Sequence, residues 1–313
     1  MGKRLPKARL ITRGNLDGIV CAAVFLGRYP SGEITFISSP PSAAEAASND
    51  GGHDVIIIAD VPLTPEIMAL LDKDPRIMLV DHHPACECHP QAVVDVSMSA
   101  AGALHRHFGL LSSLTGAVAL ADLYERSETA AVAWMAATMG RERIELESRI
   151  LDFSWRYNIE DDGFRLETAR ALSAGSLPSE VGSVVDRYQA MIGGDRWARA
   201  LSKVREKLQV RGGLGLLDLR RDRPSLYGFG SLALVEAARE RGCRYAMLVH
   251  DSRDASVASL RACGGGNVDL GLFVRDFARA HGTDGGGHPG SAGVRLPRQA
   301  ADRLIDELAA AVG

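Results

Sequence analysis

The sequence predicts an α/β protein, with a doubly wound parallel-sheet domain followed by a smaller α/β domain. Three observations carry this. Across the first 100 of the 313 residues, strand-like apolar runs alternate with helix-like segments. Several of those runs end on acids or histidines, and the carboxyl ends of parallel strands are where such sheets gather their chemistry. After a helical stretch from about 99 to 210, the alternation resumes beyond the Arg-Gly-Gly at 211–213.

Taken in order, "ARLIT" reads as a strand and "GIVCAAVFLGRY" as a helix opening just after Gly18. "EITFIS" is a strand and the Ala-rich "SAAEAAS" a helix. "HDVIIIAD" is a continuous apolar run closed by an acid, the pattern of a strand buried on both faces. "TPEIMALLDKD" starts a helix well, with Thr64 as cap and Pro65 in the first turn. "RIMLVDHH" is a further buried strand. "TAAVAWMAATM" and "DRWARALSKVREKLQV" carry helical spacing. Beyond 213, "LGLLDL", "CRYAMLVH" and "ASVASLRA" read as strands, and "GSLALVEAARERG" and "VDLGLFVRDFARAHG" as helices. The expected domains are 1–210, ending in a linker helix, and 211–313, with 211–213 as the hinge.

Composition narrows the function classes. Hydrophobic residues make up 46% of the chain, enough for a large core. The net charge of −3 and the lack of a long basic run argue against a dedicated duplex-DNA binder. No apolar window reaches a membrane span, and the basic start leads into a strand-length apolar piece rather than a signal peptide. Five cysteines without a paired framework fit a reducing cytoplasm. A cytoplasmic protein is expected, with a homodimer left open.

The ends of three strands supply Asp17, Asp60 and the Asp81-His82-His83 cluster, and a helix ending in "ALAD" supplies Asp122. Carboxylates and imidazoles brought together on rigid elements are what a divalent cation needs. Cys86, Cys88 and His89 resemble half a zinc site, but no second cysteine pair follows at a suitable distance. "NIEDDGFR" reads as a solvated acidic loop bordering the site, and Trp155 and Tyr157 before it as core residues.

"DHH" after the apolar strand at 77–80 resembles the DHH phosphoesterase superfamily. "HDVIIIADVPLTPE" is similar to its second motif and "LDG" to the remainder of its first. The stretch "SLRACGGGNVDLGLFVRDFARAHGTDGGGHPGSAG" resembles the associated DHHA1 domain, with its Arg-bearing strand and Gly-rich GGGH turn. The resemblance covers nearly the whole chain and is nearest to exopolyphosphatase-like proteins and to dinucleotide and short-oligonucleotide phosphodiesterases. It implies an active site in the cleft between the two domains. It also implies a hydrolase with manganese as cofactor, replaceable by Mg²⁺ or Co²⁺, acting on a nucleotide, short oligonucleotide or polyphosphate. Carried over position by position, Asp17, Asp60, His82 and Asp122 would hold metal. His83 would face the substrate, with Asp81 orienting the histidines. Arg261 and the backbone of Gly285, Gly286 and Gly287, with His288, would bind the far phosphate.

The first motif departs from the family's His-x-Asp-x-Asp-Gly, for here it reads Arg13-Gly14-Asn15-Leu16-Asp17-Gly18. Arg13 has no lone pair to give a metal and Asn15 offers only a neutral carbonyl. One divalent ion and the Arg13 guanidinium together would neutralise Asp17, Asp60 and Asp122. The expectation is one metal, with Arg13 gripping a phosphate oxygen where a second ion would sit. The alternative is a catalytically impaired nucleotide- or phosphate-binding protein that kept the fold.

Overall fold

The computed structural model describes residues 6–49, 51–84, 88–109, 112–222, 224–226, 228–252, 254–283 and 285–313. They form two compact units, Met1–Ala190 and Met191–Gly313.

The first unit begins β1 (Ala8–Arg13), α1 (Leu16–Arg28), β2 (Glu33–Ile37), α2 (Pro40–Ser48), β3 (Val55–Ala59), α3 (Pro65–Lys73), β4 (Ile77–Asp81) and β5 (Ala92–Val94). The five strands pair in parallel in the order β2-β1-β3-β4-β5. Neighbouring residues of one strand feed opposite cores, because strand side chains alternate in direction. Leu10, Ile57 and Val80 pack under α1. Ile11, Ile56, Ile58 and Leu79 pack under α2 and α3. This is the doubly wound sheet expected from the sequence. The strand order reverses direction between β1 and β3, which opens a crevice at their carboxyl ends.

Helix α1 starts at Leu16, two residues before the expected point, because Asn15 caps it by accepting the Gly18 N–H at 2.8 Å. A Cβ at Gly18 would lie 1.8 Å from the Arg13 carbonyl, so only glycine lets the helix fold back this closely on β1. The helical stretch supplies α4 (Ala100–His107), α5 (Thr115–Tyr124), α6 (Ala130–Met139), α7 (Arg141–Arg156), α8 (Asp162–Ser173) and α9 (Gly182–Gly193). Helices α4, α5 and α8 pack against the buried α1.

The second unit contains α10 (Arg196–Lys207), β6 (Gln209–Arg211), β7 (Leu214–Asp218), α11 (Gly230–Glu240), β8 (Tyr245–Ser252), β9 (Ala255–Ala262), α12 (Leu270–Ala280), β10 (Gly285–His288), β11 (Ser291–Pro297) and α13 (Ala301–Val312). The six-stranded sheet runs β10-β11-β9-β8-β7-β6, with only β7 and β8 parallel. Helices α12 and α13 bury Val274, Phe277, Leu304 and Leu308 against it.

Two sequence expectations shift here. The compact units divide between 190 and 191, not at 211, because α10 packs on α11 and Arg205 pairs with Glu240. The Arg-Gly-Gly at 211–213 is the turn of the β6–β7 hairpin, with Gly212 at φ +58°. The Gly-Gly-Gly-His run is not a turn either. It is strand β10, paired antiparallel with β11, and the hairpin turn falls at Pro289–Gly290. A Cβ at Gly287 would meet the Ser291 carbonyl at 2.3 Å, so the glycines serve close strand pairing. An extended strand does not converge its N–H groups on one anion, since they alternate in direction along the ladder.

Candidate metal centre

The crevice at the carboxyl ends of β1, β3 and β4 is lined by acids and histidines taken almost wholly out of water. Asp17, Asp60, Asp81, His82 and Asp122 are all buried. The imidazole of His82 stands between two acids, with Nδ1 3.5 Å from Asp17 Oδ2 and Nε2 3.7 Å from Asp60 Oδ1. These separations exceed a good hydrogen bond, and because the two ring nitrogens point apart, an ion would bind His82 through one of them, beside Asp17 or beside Asp60.

Asp17 lies in the first turn of α1 and also satisfies first-turn amides of a second helix. Its Oδ2 accepts from Ala100 N–H and its Oδ1 from Ala101 N–H, both at 2.9 Å, at the start of α4. Burial pushes its carboxyl up to about 7; the two amides pull it back, and the charges of Asp122 and Asp81 push it further up. Asp60 follows β3 with φ +56°, a left-handed conformation that costs most side chains but that Asp tolerates. Its Oδ2 has no hydrogen-bond partner among the described residues. Burial, then the neighbouring Asp17 charge, raises its carboxyl well above the ordinary range, and Arg13 opposes this. A buried, mutually repelling set of carboxylates with an orphaned oxygen is the electrostatic signature of a place for a cation.

Asp81 closes β4 and holds His83 at two points. Its Oδ1 lies 2.8 Å from His83 Nδ1, and its Oδ2 accepts the His83 amide at 3.1 Å. The His82 and His83 rings meet edge to face at 4.5 Å. Arg13, at the end of β1, has no hydrogen-bonded or ion-paired side-chain partner among the described residues, and its charge acts on Asp60. Asn15, the other departure from the first motif, has its side-chain oxygen occupied by the Gly18 amide.

The sequence expectation for Asp122 meets a different geometry. Its Oδ1 accepts from the amide (2.9 Å) and hydroxyl (2.6 Å) of Ser99, and its Oδ2 from Thr129 Oγ1 (2.6 Å). Asp122 thereby anchors Ser99, the cap of α4. The ligand atoms that converge within 4.8 Å of one another belong instead to Asp17, His82 and Glu125, and to Asp60, Asp81, His82 and His83. Glu125 was missed by sequence reasoning. It caps the carboxyl end of α5, one helical turn beyond Asp122, and residues three apart share a helix face. Oxygen and imidazole donors of this kind suit Mn²⁺ or Mg²⁺.

Arg165 was also missed. It sits in α8, buried, and donates to the Gly14 carbonyl at 2.9 Å as well as to Asp162 and the Ile159 carbonyl. The expected solvated loop at 158–165 therefore contains the start of a helix whose arginine braces the first-motif turn. Trp155 packs partly buried beside two core clusters, as expected. Of the half zinc site, Cys86 lies outside the described residues, Cys88 is exposed and His89 lies 3.2 Å from Asp72.

In the second unit, strand register places Arg261, Ser291 and His288 in one row across β9, β11 and β10. Directly paired residues share a sheet face, so Arg261 and His288 lie on the same side, about 10 Å apart at two strand spacings. Arg261 Nη1 donates to the Leu260 carbonyl at 2.7 Å.

The fold and these side chains define a two-unit α/β protein with a candidate divalent-metal centre at the ends of parallel strands. Residues 240–313 match the DHHA1 domain family. Among solved structures, the chain is similar to a pGpG-specific phosphodiesterase, PggH, from Vibrio cholerae. The TM-score is 0.57 at 15% identity, over 98% of this chain and 99% of that one. It is similar to the DHH domain of a member of the s1p family of ribosomal proteins, with TM-score 0.68 and 14% identity over 98% and 86% of the two chains. It also resembles the exonuclease RecJ bound to manganese, with TM-score 0.56 and 15% identity over 98% and 90%. At these identities the likeness speaks for the fold. No curated protein matches the sequence significantly. Residues 240–313 therefore carry a DHHA1 domain, and the chain as a whole has the fold of the DHH-type proteins it resembles. No helix among the described residues is long and apolar enough to cross a membrane.

Proposed function

We propose that the chain is a metal-dependent phosphoesterase that hydrolyses a small phosphodiester or phosphoanhydride, with a dinucleotide or short oligonucleotide end as the favoured substrate. The observation that carries this reading is the pair of donor groups sharing His82, namely Asp17 with Glu125 and Asp60 with Asp81 and His83. The orphaned Asp60 oxygen among them is the second support. Asp17, Asp60, His82 and Glu125 would hold one Mn²⁺, and Asp122 would set the helix cap beneath them. A bound ion of this kind polarises the phosphoryl group and lowers the pKa of its water.

The chain's own residues do the rest. Asp81 fixes the His83 ring through Nδ1, and His83 would face a phosphate oxygen. Arg13, uncommitted to any carboxylate, supplies a fork of N–H donors for the same phosphate. Arg261 and His288 form a second row of anion-binding side chains on the DHHA1 sheet.

One further observation favours a rival. Arg13 and Asn15 stand where the family carries metal ligands, and Asn15 is already spent on a helix cap. A phosphate- or nucleotide-binding protein without turnover would keep such a site. The deciding experiment is Mn²⁺-dependent product release from a 5′-phosphorylated dinucleotide, a cyclic dinucleotide and tripolyphosphate, with Asp60→Asn alongside. Turnover lost in that variant is the expected result. Silence across the panel from folded wild-type protein would leave the binding protein.

A further inference from the structure

A hollow beside the metal centre takes no part in the chemistry above. It encloses about 300 Å³ at the carboxyl ends of β1 and β2, next to Gly14 of the first-motif turn. Phe36, Ser38 and Ser42 line one side, and Ile159, Glu160 and Arg165 the other.

Its lining combines flat apolar surface with an unused acceptor. Ile159 is 51% exposed, a large aliphatic side chain left in water at the rim. The half-buried Phe36 ring has the Arg165 guanidinium 5.7 Å from its centre, and Arg165 is itself fixed by the Gly14 carbonyl. Glu160 is exposed, and its carboxylate makes no hydrogen bond or ion pair among the described residues. Neighbouring acids are not in this state, since Asp161 and Asp162 are both paired with arginines. Aromatic and aliphatic walls suit the faces of a planar ring, and base–aromatic stacking tolerates any base. The carboxylate is selective. When ionised it only accepts hydrogen bonds, so it wants two adjacent N–H donors. Guanine presents such a pair in N1–H and its 2-amino group, whereas adenine sets a ring acceptor beside its amino group.

Placement agrees with size. The hollow lies over β2 and β1, and the metal centre over β1, β3 and β4, so their centres stand between one and two strand spacings apart, roughly 5–10 Å. A ribose bridges that distance between a base and its 5′-phosphate. We infer that this hollow is the nucleobase subsite of the phosphoesterase and takes guanine, with Phe36 stacking on the base and Glu160 reading its Watson–Crick edge. The inference rests on the proposed function for the identity of the attached phosphate.

The test is calorimetric titration of the full chain, in Mn²⁺, with GMP and AMP, for wild type, Glu160→Gln and Phe36→Ala. Wild type is expected to prefer GMP by about tenfold or more, the scale of hydrogen bonds to a charged acceptor. Glu160→Gln, on an exposed loop, is expected to erase that preference, and Phe36→Ala to weaken both ligands. Equal affinity of wild type for the two nucleotides, or a preference that survives Glu160→Gln, would overturn the subsite. Hydrolysis of diguanosine and diadenosine dinucleotides runs in parallel and separates the two claims. No turnover with a Glu160-dependent GMP preference sinks the phosphoesterase and keeps the subsite. Turnover without that preference does the reverse.

Discussion

Asp17 Oδ2 lies 2.9 Å from the amide nitrogen of Ala100, so the acid of the first motif also satisfies a first-turn amide of a helix 83 residues further on, beside its cap Ser99. The same oxygen faces His82 at 3.5 Å. Site and scaffold therefore share atoms, and substitutions here separate into those that empty the site and those that loosen the fold.

Asp60 belongs to the first kind. Its carboxylate is buried, repelled by Asp17 and left with an orphaned oxygen. Asp60→Asn removes the charge and keeps a residue that tolerates positive φ. The metal-free variant should be more stable than wild type by about 0.5–2 kcal/mol, as expected when a strained functional group is neutralised. Thermal melts with and without Mn²⁺ check this, and the metal-induced rise should vanish in the variant. A variant that still gains stability with Mn²⁺ would remove Asp60 from the ligand set.

Asp122 and Glu125 should part company. Asp122→Ala strips Ser99 and Thr129 of their acceptor and is expected to cost roughly 2–4 kcal/mol of stability. Glu125→Gln should leave the melt of the metal-free protein nearly unchanged and weaken Mn²⁺ binding about tenfold or more, the scale seen when a ligand set is disturbed. Isothermal titration with Mn²⁺ decides it. Unaltered affinity in Glu125→Gln would return the fourth position to Asp122.

On the proposed reading, Arg13 and Asn15 hold the metal count at one. The pair Arg13→His and Asn15→Asp supplies two ligands and preserves the helix cap, because Asp caps as well as Asn. Elemental analysis of purified protein should find two Mn²⁺ per chain in this variant and one in wild type. If the count stays at one, the second position has been closed by more than those two side chains.

The start of α8 carries an acid dependence. Asp161 accepts the Phe164 amide at 2.9 Å and pairs with Arg187, and these bonds, the amide first, hold its carboxyl below the ordinary value of 3.8. A depressed carboxyl stabilises the fold fully above pH 3.8, and that contribution disappears as pH falls through the lowered folded value. Asp161→Ala should cost about 1 kcal/mol at neutral pH. Asp161→Asn should keep much of the cap while flattening the acid limb of the stability curve, measured by urea unfolding from pH 5 to 2. An unchanged acid limb would mean that Asp161 is not the group that titrates.

The first sheet was legible because "HDVIIIAD" and "RIMLVDHH" are continuous apolar runs, which only a strand covered on both faces requires. Strand β5, three residues long, carries too little pattern to be read. The Gly-Gly-Gly-His run misled because glycine signals turns, while here it serves a neighbouring strand that only the folded chain reveals. That Asp17, Asp60, His82 and His83 gather at one crevice was legible from their places at strand ends. The nearness of Glu125 to that crevice was not, for Asp122 and Glu125 share a helix face and only packing sets which carboxylate stands closer. Arg165 was hidden by Asp161 and Asp162, whose charges made a buried arginine look like part of a solvated loop.

The parallel sheet also dictates when the centre can exist. Its candidate ligands run from Asp17 to Glu125, and β1 acquires its inner neighbour only after β2 and α2 have been passed over in the chain. Contacts between such distant positions form late and slowly, because loop closure precedes their reward. No early fragment of the nascent chain holds a complete donor set. An ion captured here therefore cannot nucleate the fold; it locks one already assembled, and its loss would be felt first as faster unfolding rather than slower refolding.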